Sequence, residues 1–166
     1  MHKPELQING QPQDKCEPKY VKVIVFDDQN RVLLVKNGNR LVLPGGPVEW
    51  DDDDTEAAAR REVFEAANIA LGTVTQITVI TTKDPMSQTQ YTAVYTGRTH
   101  GKERRPKTKH RFLSKDALFK TVAGQGELVR ALIESAHRVL VTEEIEEEHN
   151  QETQTGTEKY NIKSIC

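Results

Sequence analysis

The sequence predicts an α+β protein, with strands and helices packed as an α/β/α sandwich. Three observations carry this. Runs of β-branched and aromatic residues mark strands early in the chain. A helix with an acidic start follows them, and a second helical pattern closes the chain after further strands. Strands, helix, strands, helix is the order of a layered domain, not of repeated βαβ units.

Residues 1–19 are polar, hold Pro4, Pro12 and Pro18, and lack periodicity, so they read as a flexible arm. Tyr20-Val21-Lys22-Val23-Ile24-Val25-Phe26 is a buried-strand pattern. Asp27–Asn30 is a turn, and Arg31–Lys36 is the next strand. Asn37-Gly38-Asn39 signals a hairpin, because Asn and Gly tolerate positive φ. Arg40–Leu43 returns and stops at the Pro44-Gly45-Gly46 break. A helix is expected from about Asp54 to Ala67, capped by Asp53 or Asp54, with Asn68 as its left-handed end. Two strands follow, near Val74–Thr81 and Gln90–Thr96, with Asp84-Pro85 turning between them. Thr99–Thr108 is a polar, basic loop. Lys109–Leu113 reads as a short strand, after which Ser114 caps Lys115–Phe119. Glu127 to about Glu147 is helical, with Leu128, Leu132, Ile133, Ala136, Val139 and Leu140 on one stripe. A Gln/Thr/Glu-rich tail, expected to be disordered, occupies 149–166, which leaves 20–148 as the folded domain.

Length suits this single domain with appendages: 166 residues, 36% hydrophobic and 29% charged. Nothing approaches the roughly 20 apolar residues of a membrane span. Met1-His2-Lys3-Pro4-Glu5 has no apolar core of a signal peptide, so no secretory signal is expected. Cys16 and Cys166 both fall in polar end segments. No structural disulfide and a cytoplasmic location are expected. The net charge of −2 hides an asymmetry: from Glu143 onward the balance is −5, so the rest is +3. That mild basicity suits a phosphate-bearing small molecule and is too weak to argue for nucleic acid.

The chemistry concentrates in one stretch. Leu43-Pro44-Gly45-Gly46 is followed by the acidic run Asp51–Asp54 and then by Ala58-Ala59-Arg60-Arg61-Glu62-Val63-Phe64-Glu65-Ala66-Ala67-Asn68-Ile69. Glu62 and Glu65 are three apart and share a helix face, which position 66 also joins. Two glutamates and an arginine on a helix are ordinarily a solvated face, and an Asp run is ordinarily a capped helix start. Their conjunction with the Gly-rich turn clusters oxygen ligands for a hard divalent cation.

This layout resembles the Nudix box, the metal- and pyrophosphate-handling motif of the Nudix hydrolases. The box runs Gly, five residues, Glu, seven residues, then Arg-Glu-apolar-x-Glu-Glu-x-Gly-apolar. Gly46 looks like its leading Gly and Gly45 the one before it. Arg61-Glu62 looks like the Arg-Glu pair, Val63 the apolar position, Glu65 the first Glu of the later pair and Ile69 the closing residue. The spacing from Gly46 to Arg61 is one residue too long. Asp52 is the expected stand-in for the intervening Glu, with Asp51 and Asp53 as alternatives. Ala66 replaces the second Glu of the pair, and Asn68 replaces Gly.

The resemblance covers roughly residues 20–140 and implies the Nudix sandwich, with a mixed central sheet. It implies Mg²⁺-dependent hydrolysis, with Mn²⁺ as the alternative metal, of a pyrophosphate bond in a nucleoside diphosphate derivative. Glu62, Arg61 and Glu65 would be catalytic. Glu62, Glu65, Asp52 and the Gly45 carbonyl would hold metal. Gly46 and Arg40, with Arg104 and Arg105 of the basic loop, are the candidate substrate contacts. Glu103 is a further candidate ligand or base, and His100 and His110 read as surface or strand residues. Trp50 is placed either to stack on a base or to cover the core. The implied partner is a nucleotide or a nucleoside-diphosphate-linked small molecule, with capped RNA in the same range; no protein partner is defined. The other reading is a Nudix-like domain that binds a nucleotide or a protein without turning it over, and Ala66 favours it.

Overall fold

The computed structural model describes residues 17–83, 85–100, 110–121 and 126–153. The expectations for Cys16, Cys166, Asp84, Glu103, Arg104 and Arg105, and for most of the arm and tail, lie outside these residues.

β1 (Tyr20–Phe26) is the centre of the architecture. It meets β2 (Val32–Asn37) antiparallel at Phe26↔Val32. On its other edge it runs parallel to β6 (Thr89–Thr99), from Tyr20↔Thr92 to Phe26↔Arg98. β3 (Arg40–Val42) extends the sheet beyond β2, and β5 (Leu71–Lys83) beyond β6, both antiparallel. β7 (His110–Leu113) pairs with β2. The path is β3-β2-β1-β6-β5, a mixed sheet as expected.

Period-two alternation divides β1 between two cores. Val21, Val23 and Val25 pack with Ala58, Ala59, Val63 and Ala67 of helix α1 (Thr55–Ala67). Ile24 and Phe26 pack on the opposite face with Leu118 of α2 (Lys115–Phe119) and with Leu132, Ile133, Ala136 and Leu140 of α3 (Glu127–Thr153). A strand covered on both faces must be apolar nearly throughout, and each such side chain fully buried stabilises by about 1.5–3 kcal/mol. Ser114 caps α2, accepting from the Ala117 N–H at 3.1 Å. Lys115 then ties α2 to α3, donating to Glu134 at 3.0 Å and lying 3.2 Å from His137 Nδ1. His137 Nε2 is buried and meets no hydrogen-bond partner among the described residues.

Four features differ from the sequence reading. Gly45–Pro47 is not only a break: it forms a strand, β4, antiparallel to β1 at Val21↔Gly46 and Lys22↔Gly45. β2 leaves the first half of that β1 edge uncovered, and the chain returns to fill it. β5 and β6 are longer than their apolar runs, because Thr-rich ends also suit a ladder. Leu128 is 51% exposed and lies off the buried stripe. α3 continues through residue 149 to Thr153, past the expected start of the tail. No described helix is long and apolar enough to cross a membrane.

Candidate active site

Helix α1 is fixed at both ends. Asp54 is the N-cap, accepting from the Ala57 N–H at 2.8 Å. Thr55 Oγ1 meets the Tyr95 hydroxyl of β6 at 2.5 Å, which pins the first turn to the sheet. Arg60 donates to the Leu71 and Gly72 carbonyls at 3.0 and 2.9 Å, fastening the middle of the helix to β5. Asn68 ends it in the left-handed region, φ 59° and ψ 38°, as its position in the motif requires.

Arg61 is the hub of the site. Its Nε and Nη2 donate to the two oxygens of Asp52 at 2.9 and 2.8 Å, a bidentate pair. Asp52 also accepts from the Glu49 N–H at 2.8 Å, and its side chain is only 6% exposed. Arg61 Nη2 reaches the Pro47 carbonyl at 3.0 Å. Its Nη1 reaches Glu62 Oε2 at 3.1 Å and Glu65 Oε1 at 3.2 Å, with Glu49 Oε2 at 3.5 Å.

These contacts single out one aspartate. Asp52 meets Arg61, while Asp51 and Asp53 are exposed and do not. With Asp52 in the place of the motif's intervening Glu, the extra residue falls between Asp52 and Arg61. The same contacts bear on the metal role expected of Asp52: both its oxygens are committed to Arg61 and the Glu49 N–H, and a cation would have to displace them. The Arg61 hydrogen bond holds the Asp52 carboxyl below the usual range, and Asp52 in turn raises Arg61.

Glu62 behaves differently. Its side chain is 15% exposed, and burial pushes its carboxyl up despite the Arg61 guanidinium beside it. Its Oε2 accepts from Arg61, and its Oε1 makes no hydrogen bond to a described residue. The carboxylate lies against Gly46, where an added Cβ would sit 2.5 Å from Oε2. A Cβ at Gly45 would collide with the Val21 carbonyl oxygen. Both glycines are needed for close approach. Glu65 is 56% exposed and shares the Arg61 Nη1 group with Glu62.

Among the described residues no three His, Cys, Asp or Glu side chains converge as a ligand cage. The donor set is nevertheless all oxygen, and Glu62 and Glu65 both approach one cationic nitrogen. It fits a single hard divalent cation that draws its remaining ligands from phosphate oxygens and water. Ala66, part-buried against the first core, adds none.

The other candidates are dispersed. Arg40 is exposed beside the β2–β3 turn, opposite Asn37, and makes no hydrogen bond to the Arg61 cluster. Trp50 is 94% exposed and covers no core. His110 lies edge-on to Phe112 in β7, and His100 is exposed beyond the end of β6. Sequence reasoning missed Glu49 as a partner of Arg61, although it stands in the motif loop three residues before Asp52.

A mixed sheet with a Gly-Gly strand backed by an Arg-Glu helix defines an α/β/α sandwich of the Nudix kind. The chain belongs to the NUDIX domain family, whose profile matches residues 17–132. Solved structures share the fold. A MutT NUDIX hydrolase from Burkholderia pseudomallei is 24% identical, with TM-score 0.55, covering 72% of this chain and 98% of that one. The NUDIX domain of Shewanella oneidensis NrtR, solved with ADP ribose, is 20% identical, with TM-score 0.60, covering 83% and 99%. A NUDIX hydrolase from Nitrosomonas europaea is 18% identical, with TM-score 0.57, covering 74% and 90%. No curated protein matches the chain.

Proposed function

We propose that this protein hydrolyses a pyrophosphate bond in a nucleoside diphosphate derivative. Pyrophosphate hydrolysis is the family's general chemistry. The observation that carries it to this chain is the Glu62 carboxylate, desolvated against Gly46 and oriented by an Arg61 that Asp52 holds in place. A carboxylate pushed up by burial, with one oxygen anchored by Arg61 and the other without a hydrogen bond to a described residue, is suited to accept a proton.

In the reaction a water oxygen bonds to one phosphorus while the bridging P–O bond breaks. The proton that water loses passes to Glu62 Oε1. The products are a nucleoside monophosphate and the phosphorylated second moiety. Arg61 keeps Glu62 in register and keeps Glu65 beside it. Glu65 and the Gly45 carbonyl would hold Mg²⁺ or Mn²⁺, which when bound would neutralise charge on the phosphate oxygens. The NUDIX domain solved with ADP ribose makes ADP ribose the first compound to assay. Capped RNA belongs in the same panel, and the cytoplasm is the compartment proposed.

The binding-only reading is favoured by Ala66, which leaves two carboxylates on the helix face instead of three. One experiment separates the two. Purified protein and Glu62→Gln are compared on a nucleotide pyrophosphate panel with Mg²⁺ and then Mn²⁺. Turnover by the parent, abolished in the folded variant, is expected. Binding without turnover in both would leave the second reading.

A further inference from the structure

β1 has partners on both edges and a helix over each face, the setting in which a strand is apolar throughout. Lys22 breaks that rule as the one charged residue of the strand. It is half-buried, and among the described residues no carboxylate or hydrogen-bond acceptor meets its ammonium. Desolvation holds the group below the ordinary lysine range, with nothing offsetting it. A buried charge without a partner weakens the fold, and such local violations concentrate where a ligand supplies the missing half.

The position says where that ligand would lie. Lys22 stands opposite Gly45 on one side and Val94 on the other. Neighbouring strands are about 4.7–4.9 Å apart, so the lysine rises directly beside the Gly45 backbone. Val21 and Gly46 face α1, where Glu62 lies against Gly46. Lys22 and Gly45, one residue on in each strand, face the other way. Among the described strands β4 pairs only with β1, so Gly45-Gly46 is a rim of bare backbone between Glu62 and Lys22. A ligand lying across that rim can touch both.

We propose that Lys22 is the anion-binding residue of the substrate pocket, its ammonium taking a phosphate oxygen of the nucleoside diphosphate derivative across the glycine rim from Glu62. This rests on the hydrolase reading for its ligand class, but not for its test. The full chain, its Lys22→Met variant and its Lys22→Arg variant are compared by calorimetry with ADP ribose and with inorganic pyrophosphate, without added metal, and by thermal melting. Lys22→Met keeps the length of the side chain and removes the charge. It should weaken both probes at least tenfold while melting at the same temperature or higher, because an unpaired buried charge has gone. Lys22→Arg should recover part of the affinity.

Equal affinity in the parent and Lys22→Met overturns the assignment. So does failure of the parent to bind either probe. A loss of affinity accompanied by a lower melting temperature also overturns it, since that is how a structural lysine behaves. A parent that binds pyrophosphate through Lys22 and hydrolyses nothing removes the hydrolase reading and upholds this one. A parent that hydrolyses its substrate with a KM unchanged in Lys22→Met does the reverse.

Discussion

Replacing Asp52 by Asn tests the arrangement around Arg61 at its tightest point. The variant keeps the size of the side chain, but it removes the charge and places an amide donor where Arg61 needs an acceptor. An exposed ion pair contributes about 0–1 kcal/mol, and breaking a fully buried one costs about 3–5 kcal/mol. With Asp52 at 6% and Arg61 at 19% side-chain exposure, the pair lies between these limits. A loss of about 2 kcal/mol is expected, or roughly 5–10 °C in melting temperature for a domain of this size. Because the folded carboxyl is held low, its stabilisation is complete above the ordinary carboxylate pKa and is lost as pH falls through the lower folded value. The gap between parent and Asp52→Asn should therefore be full at pH 7 and shrink steadily below pH 4. Asp53→Asn, at an exposed position outside the Arg61 cluster, should shift the melt by less than about 0.5 kcal/mol. Melting curves of the three proteins across pH decide the matter. A larger effect at Asp53 than at Asp52, or a gap that widens in acid, would refute the reasoning.

Other outcomes follow from the same geometry. Gly46→Ala places a methyl against the flexible end of Glu62, so turnover should fall at least tenfold with little change in melting; Gly45→Ala meets the backbone of Val21 and should instead destabilise the fold. Ala66→Glu restores a carboxylate four residues from Glu62, and calorimetry should show tighter Mg²⁺ binding at a cost of a few tenths of a kcal/mol in like-charge repulsion. Weaker Mg²⁺ binding in that variant would mean the site is built around two carboxylates. His137 is held below the ordinary imidazole value by burial and by Lys115. The unfolded chain therefore takes up a proton first as pH falls, and stability present above about pH 6.5 should decline below it. His137→Gln should flatten that slope in melts between pH 7.5 and 5.

What could be read from the sequence was whatever depends on neighbours in the chain. The β1 pattern, the Gly38 turn, the Asp54 cap and the left-handed Asn68 all act within a few residues. β4 was hidden because Gly45-Gly46-Pro47 carries no strand propensity, and its pairing is fixed by the uncovered edge of β1. The site divided the same way. Helical spacing alone put Glu62 and Glu65 on one face. Which of the aspartates 51–53 reaches Arg61 depends on how the loop closes over the helix, and spacing left it open. Arg60 and Arg61 show the limit most plainly: adjacent in sequence, one is spent on the Leu71 and Gly72 carbonyls and the other organises the acidic cluster.

The parallel pairing of β1 with β6 has a consequence for how the molecule forms. Thr96 Oγ1 donates to the Ile24 carbonyl at 2.9 Å across 72 residues of chain, and the loop–helix unit lies within that span. Closing a loop of this length takes its entropy before any contact repays it, so the central pairing should be a late and slow event. α1 gains its anchors on Tyr95, Leu71 and Gly72 only once β5 and β6 exist. On a ribosome, the residues that would do chemistry emerge long before the strands that hold them in place. A nascent chain ending before β6 would carry the whole motif without the Tyr95 anchor that pins its helix to the sheet.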